Sequence, residues 1–130
     1  MTLLKFANDV SSVSAARRFV RDALDDAGFD ADDATLLISE LASNVVQHAG
    51  TDFDVVVMVI EATVRVEIHD GLAVSEAFRD LISQPPVPVD VSSPSGRGLF
   101  LLKSCGAKFG FTDKGHEGKA IWFEIERRPS

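Results

Sequence analysis

Residues Asp30–Ala49, DADDATLLISELASNVVQHA, decide how the fold is read. Ala34, Leu37, Ile38, Leu41, Val45 and Ala49 recur at steps of three and four, which lines one face of a single amphipathic helix. Asp30 is the expected N-cap, Asp33 adds a carboxylate near the positive end of the helix, and Gly50 should stop it. Beside the apolar stripe stand Glu40 and Asn44, four residues and so one turn apart, with Gln47 and His48 a turn further on. A carboxylate and a carboxamide make poor core residues, because burial without partners costs about 1–3 kcal/mol each. They suit the rim of a site that holds a metal ion and an anionic ligand. The plainer alternative is a solvated helix edge.

Outward from this helix, the sequence predicts one domain over residues 1–130. The hydrophobic fraction of 45% with 25% charged residues fits a globular fold with a core. A net charge of −7 argues against general affinity for nucleic acid or an anionic membrane, which reward clustered Lys and Arg. The single Cys105 cannot close an internal disulfide, and it reads as a small buried hydrophobe in a reducing cytosol. No run approaches the ~18 apolar residues of a spanning helix, and no secretory signal is read at the start, so a cytoplasmic location is expected.

In chain order, Leu3–Ala7 reads as an edge strand. Ser11, Ser12 or Ser14 could cap a first helix that runs to about Ala27 and ends at Gly28. Phe19, Val20, Ala23, Leu24 and Ala27 would form its apolar face, and Arg17, Arg18 and Arg21 a solvated one. Phe53–Ile60 and Thr63–His69 are β-rich and joined by Glu61-Ala62, which predicts a hairpin. In its second strand Val64, Val66 and Ile68 alternate with Arg65, Glu67 and His69, as in a half-buried strand that runs straight into Asp70-Gly71.

Ala73–Ser83 carries a short helical pattern with Ala77, Phe78, Leu81 and Ile82 on its apolar side. Gln84–Ser95, rich in proline and serine, cannot sustain a helix and reads as a lid, a binding loop or a linker. Leu99–Cys105 suits a short buried helix opened by Gly96 and Gly98, and strands at Ala107–Thr112 and Lys119–Glu126 close the chain. The order β-α-α-β-β-(lid)-α-β-β predicts a two-layer α/β sandwich.

Three polar points fall near one end of that sandwich. Gly96-Arg97-Gly98 before a helix exposes backbone N–H groups and one guanidinium to a phosphate, although a plain tight turn explains a Gly-x-Gly as well. Asp70 at a strand exit can accept from an exocyclic amine such as that of adenine, or simply begin an Asp-Gly turn. Asn44 with a neighbouring carboxylate can hold Mg²⁺ through oxygen, the ion keeping waters and nucleotide phosphates as its other ligands.

Taken in order, ELASNVVQHA, EIHDG, SGRGLFLL and GKAIWFEI resemble the N, G1, G2 and terminal-strand boxes of the GHKL ATP-binding superfamily. The likeness runs from about Val10 to Glu126, and the short chain resembles the bacterial anti-sigma-factor serine kinases within that histidine-kinase-like group. It implies the Bergerat-type fold: a mixed, mostly antiparallel sheet covered by helices on one face. It implies ATP and Mg²⁺ as cofactors, with Glu40 catalytic and Asn44 on the metal. It also gives Asp70 to the adenine amine and Gly96 and Gly98 to a lid that closes over the phosphates, with Gly71, Arg97 and Leu99 as further cofactor-binding residues. The implied partners are an anti-anti-sigma (STAS-type) protein, phosphorylated on serine, and a sigma factor, with a homodimer left open and neither nucleic acid nor membrane touched directly.

Two departures fall on the base pocket. The superfamily's Asp-x-Gly-x-Gly is here Asp70-Gly71-Leu72-Ala73, and a threonine often found in the terminal-strand box is Ala120. Base recognition should therefore differ while the phosphate and metal side stays intact. Two further readings stand beside the kinase: a switch module gated by nucleotide without phosphate transfer, and a scaffold without nucleotide, against which Glu40 and Asn44 argue.

Overall fold

The computed structural model of the chain describes residues 1–83 and 108–126. Along them run β1 (Thr2–Phe6), α1 (Ser11–Asp26), α2 (Asp32–Asn44), β2 (Phe53–Ile60), β3 (Thr63–Asp70), α3 (Glu76–Ser83), β4 (Lys108–Asp113) and β5 (Lys119–Glu126). The strands form one sheet in the order β1-β2-β3-β5-β4, and every described pairing is antiparallel. The expected two-layer α/β arrangement is thus present, with β1 at an edge as read from the sequence. The lid segment, the helix expected at Leu99–Cys105 and the glycines of SGRGLFLL lie outside the described residues.

Helix boundaries differ from the sequence reading in instructive ways. Val10 and Ala31 occupy the two N-cap positions, and neither side chain caps. The acceptors for the first helical donors lie one residue before each cap. Asp9 accepts from the N–H and the hydroxyl of Ser11, and Asp30 accepts from the N–H of Asp32, so the aspartates act as Asx turns just outside the helices. At the end of α1 the Gly28 N–H bonds the carbonyl of Asp25 and the Phe29 N–H that of Leu24, the double bond of a Schellman close.

The core is the inner face of the sheet against α1 and α2. Val20 and Leu24 of α1 and Ala34, Leu37, Ile38 and Leu41 of α2 meet Val55, Val57, Val64, Val66, Ile68 and Phe123. Strand alternation does the sorting: Val64, Val66, Ile68 and Asp70 of β3 are buried, and the residues between them are half-exposed. On the outer face those intervening side chains form a chain of polar contacts. Lys114 Nζ reaches His69 Nδ1 at 3.1 Å, His69 Nε2 reaches Glu67 at 2.8 Å, and Arg65 bridges Glu67 at 2.7 Å and Glu124 at 3.2 Å. The Arg65 guanidinium also lies 4.1 Å from the Trp122 ring centroid, and Gly110 leaves the space that the indole needs, since a Cβ there would sit 2.6 Å from it.

Gly118 opens β5 with φ of 110°, a conformation that side chains rarely adopt, and a Cβ would overlap the Asp70 carbonyl oxygen. Gly118→Ala should therefore cost at least about 3 kcal/mol, read as a lowered urea midpoint with an unchanged slope. Glu67 gives a pH-dependent expectation. Burial alone would push its carboxyl up, but hydrogen bonds from Arg65 and His69 outweigh that and hold it below the ordinary glutamate range. A lowered folded-state value means stability that is present above the unfolded value and is lost as pH falls through the folded one. Glu67→Gln should be less stable than wild type at pH 7, and the gap should close in acid; urea unfolding at both ends of the range checks it.

Candidate functional site

A cavity of about 260 Å³ opens where the C-terminal part of α2 leaves the sheet. Three elements wall it. From α2 and the turn that follows come Leu41, Asn44, Val45, His48 and Ala49; from the strand ends come Asp70, Lys119 and Ile121. The segment after β3 and the start of α3 supply Leu72, Ala73, Ser75, Ala77 and Phe78.

The helix side follows from periodicity with one change. Leu41, Asn44, Val45 and His48 share a face at three- and four-residue steps, but α-geometry stops at Asn44 and Val45–Ala49 form a π turn. Gly50 closes it at φ of 67°, its N–H on the Val45 carbonyl. Asn44 thus stands at the point where the helix widens, half-buried in the cavity wall, and no described residue hydrogen-bonds its carboxamide. Glu40 lies one turn earlier, also half-buried, and is not among the described residues lining the cavity. His48 is exposed at the rim.

The strand side holds the strongest electrostatic feature. Asp70 and Lys119 sit directly opposite each other across β3 and β5, and they are 5% and 6% exposed. Lys119 Nζ lies 3.1 Å from Asp70 Oδ1 and donates also to the Leu72 carbonyl at 3.2 Å. The Leu72 N–H returns to Asp70 Oδ1 at 2.8 Å, which folds the segment after β3 back over the pair. Phe78 covers it, its ring 5.2 Å from Lys119 Nζ and edge-on to Phe111 at 5.2 Å. Ser75 caps α3 by accepting from the Phe78 N–H, and Arg79 pairs with Asp113 at 2.7 Å, which holds α3 over the end of the sheet.

Of the residues singled out from the sequence, Asn44 and Asp70 meet in this one cavity. Gly71 does not line it: its N–H binds the Thr51 hydroxyl at 2.9 Å, on the rim of a separate polar cleft with Asp54 and His69. Gly96, Arg97, Gly98 and Leu99 lie outside the described residues. Lys119 was missed. The signal was there, because KAIWFEIE places Lys119 on the same strand parity as Ile121 and Phe123, an inward position that a lysine occupies only with a partner.

Comparison with known proteins gives this geometry its family. The sequence profile of the histidine kinase-like ATPase domain matches residues 6–125. No curated protein matches the chain. Among solved structures, the catalytic domain of histidine kinase ThkA in a nucleotide-free form is similar, with a TM-score of 0.58 at 13% identity. The match covers 99% of this chain and 100% of that one, a likeness of fold. The chain therefore belongs to the histidine kinase-like ATPase domain family.

The buried pair yields an expectation independent of any ligand. Lys119→Met strands a buried carboxylate and should cost about 3–5 kcal/mol, whereas Asp70→Asn with Lys119→Met removes both charges and should cost less than the single change. Chemical denaturation of the two variants beside wild type checks the order.

Proposed function

We propose that this ATPase domain is a protein serine kinase, which binds Mg·ATP in the cavity and phosphorylates a serine of an anti-anti-sigma-type (STAS-type) partner. In its unphosphorylated form that partner would compete for this chain against a sigma factor, so that phosphate transfer controls transcription by partner switching. The observation that carries the reading is the pair Glu40 and Asn44 on α2, one turn apart, with the Asn44 carboxamide in the cavity wall and no described residue bonded to it.

Mg²⁺ fits that carboxamide. The ion accepts one or two protein oxygens and takes the rest of its shell from phosphates and waters, so one asparagine suffices where no cluster of three acidic, His or Cys side chains exists among the described residues. When bound, it would neutralise phosphate charge beside Asn44. The role of Glu40 is to orient the seryl hydroxyl and take its proton as the oxygen bonds to the γ-phosphorus and ADP departs. Asp70 holds the base end, and the phosphates would extend from there toward Asn44. No helix of the described residues is long and apolar enough to cross a membrane, and a cytoplasmic setting fits the proposed partners.

Binding gated by nucleotide without phosphate transfer is the second reading. It is favoured by the base end, where Asp70 is already engaged by Lys119.

Two variants test these roles. Asn44→Ala should weaken ATP binding at least about tenfold in Mg²⁺ and hardly at all in EDTA, by calorimetric titration; equal losses in both would reject the metal role. Glu40→Gln should bind Mg·ATP about as well as wild type yet transfer labelled phosphate to a STAS-type partner roughly 10²–10⁴-fold more slowly. Wild-type protein that binds ATP and such a partner together but never labels it would reject the kinase and leave the gated switch.

A further inference from the structure

The polar end of the cavity is an ion pair with bonding capacity to spare. Asp70 Oδ1 accepts two hydrogen bonds, from Lys119 Nζ and from the Leu72 N–H, and no described residue donates to Oδ2. Lys119 gives one ammonium hydrogen to Asp70 and one to the Leu72 carbonyl. An ammonium carries three, so one remains. Both residues line the cavity, so its end wall offers one acceptor beside one donor. A buried ion pair adds little net stability compared with apolar residues of the same size. Its place in a cavity wall points to a ligand as the reason for it.

We propose that Lys119 is a base-reading residue: it donates to the N1 ring nitrogen of adenine while Asp70 Oδ2 accepts from the exocyclic amine beside it. The inference rests on the ATP-binding reading above and assigns specificity within that site.

The base edge decides between purines. Adenine offers one donor, its amine, next to one acceptor, N1, which is the complement of one free carboxylate oxygen next to one free ammonium hydrogen. Guanine presents an acceptor and two donors on the same edge. With Oδ1 already taken twice, Oδ2 alone would face both guanine donors and leave one buried without a partner, a loss that discriminates strongly. The Phe78 ring beside Lys119 Nζ keeps the ammonium from swinging outward, and the Leu72 carbonyl fixes it from the other side. The donor is therefore held in place before the base arrives, which lowers the ordering cost of binding.

The test uses wild-type protein and three nucleotides with Mg²⁺: ATP, 1-deaza-ATP, in which a C–H replaces N1, and ITP, whose 6-oxo edge reverses donor and acceptor. Calorimetric titration should show 1-deaza-ATP and ITP each at least about tenfold weaker than ATP. In Lys119→Met, ATP and 1-deaza-ATP should bind within about twofold of each other; where that variant does not fold, the wild-type comparison decides alone. Equal affinity of ATP and 1-deaza-ATP for wild type overturns the role of Lys119 and leaves ATP binding standing. ITP tighter than ATP overturns the adenine assignment. Absence of binding by all three nucleotides overturns the ATP-binding reading itself, and this inference with it.

Discussion

The pairing of β3 with β5 is the constraint on which the site depends. Its register sets Asp70 opposite Lys119 at the last rung of the ladder, both on the inner parity of the sheet. A one-residue slip of β5 against β3 would turn Lys119 to the outer face and leave Asp70 buried without it. The register is held from both faces. Inside, Val64, Val66 and Ile68 pack with Ile121 and Phe123 in the common core; outside, Arg65 pairs with Glu124 on the facing strand. Gly118 then allows the closest approach, because only a residue without Cβ can start β5 against the Asp70 carbonyl.

A sheet whose inner face is covered by two helices runs out of apolar partners at its ends, and the cavity lies where that happens. Above it α2 changes from α to π geometry, and the wall passes from Leu41 to Asn44 and His48. A π turn interrupts the regular ladder and shifts every later side chain around the axis, which lets a helix that is core along most of its length present polar groups at its end. Across the gap α3 rests on the sheet through Phe78 on Phe111 and Arg79 on Asp113. Glu76–Ser83 is short, and among the described residues these contacts join it to the end of the sheet.

How much of this could be read in advance follows from which periodicities carry the information. The amphipathic stripe of Ala34–Val45 and the alternation of Thr63–His69 each fixed an element and its buried face, because burial repeats along the chain. Carrying the alternation one residue further would have turned Asp70 inward. Carrying it through KAIWFEIE would have done the same for Lys119, and two opposite charges on inward parities invite a pair. What hid the pair was its non-local nature: Asp70 and Lys119 lie 49 residues apart, and no local pattern sets a register between their strands. The cap of α2 was placed one residue early for a different reason, since Asp30 bonds the first helical N–H from just outside the helix, where cap and Asx turn look alike in sequence. For α1 the serines Ser11, Ser12 and Ser14 drew the reading into the helix, and the Asx turn of Asp9 before it went unread.

The charge balance of the molecule makes the neutral end wall intelligible. With a net charge of −7, the chain repels a nucleotide at long range, so an anionic ligand needs local compensation wherever its charge lies. An unpaired Asp70 in the end wall of the cavity would add another negative charge in a poorly solvated place. Lys119 cancels it within 3.1 Å and leaves a dipole of one acceptor and one donor, which can recognise an uncharged base by hydrogen-bond pattern alone. Charge handling is then left to the other end, where Asn44 offers a neutral oxygen suited to a cation and adds no negative charge of its own. On the proposed reading, the identity of the base would be a question for β3 and β5, and the handling of phosphate one for α2.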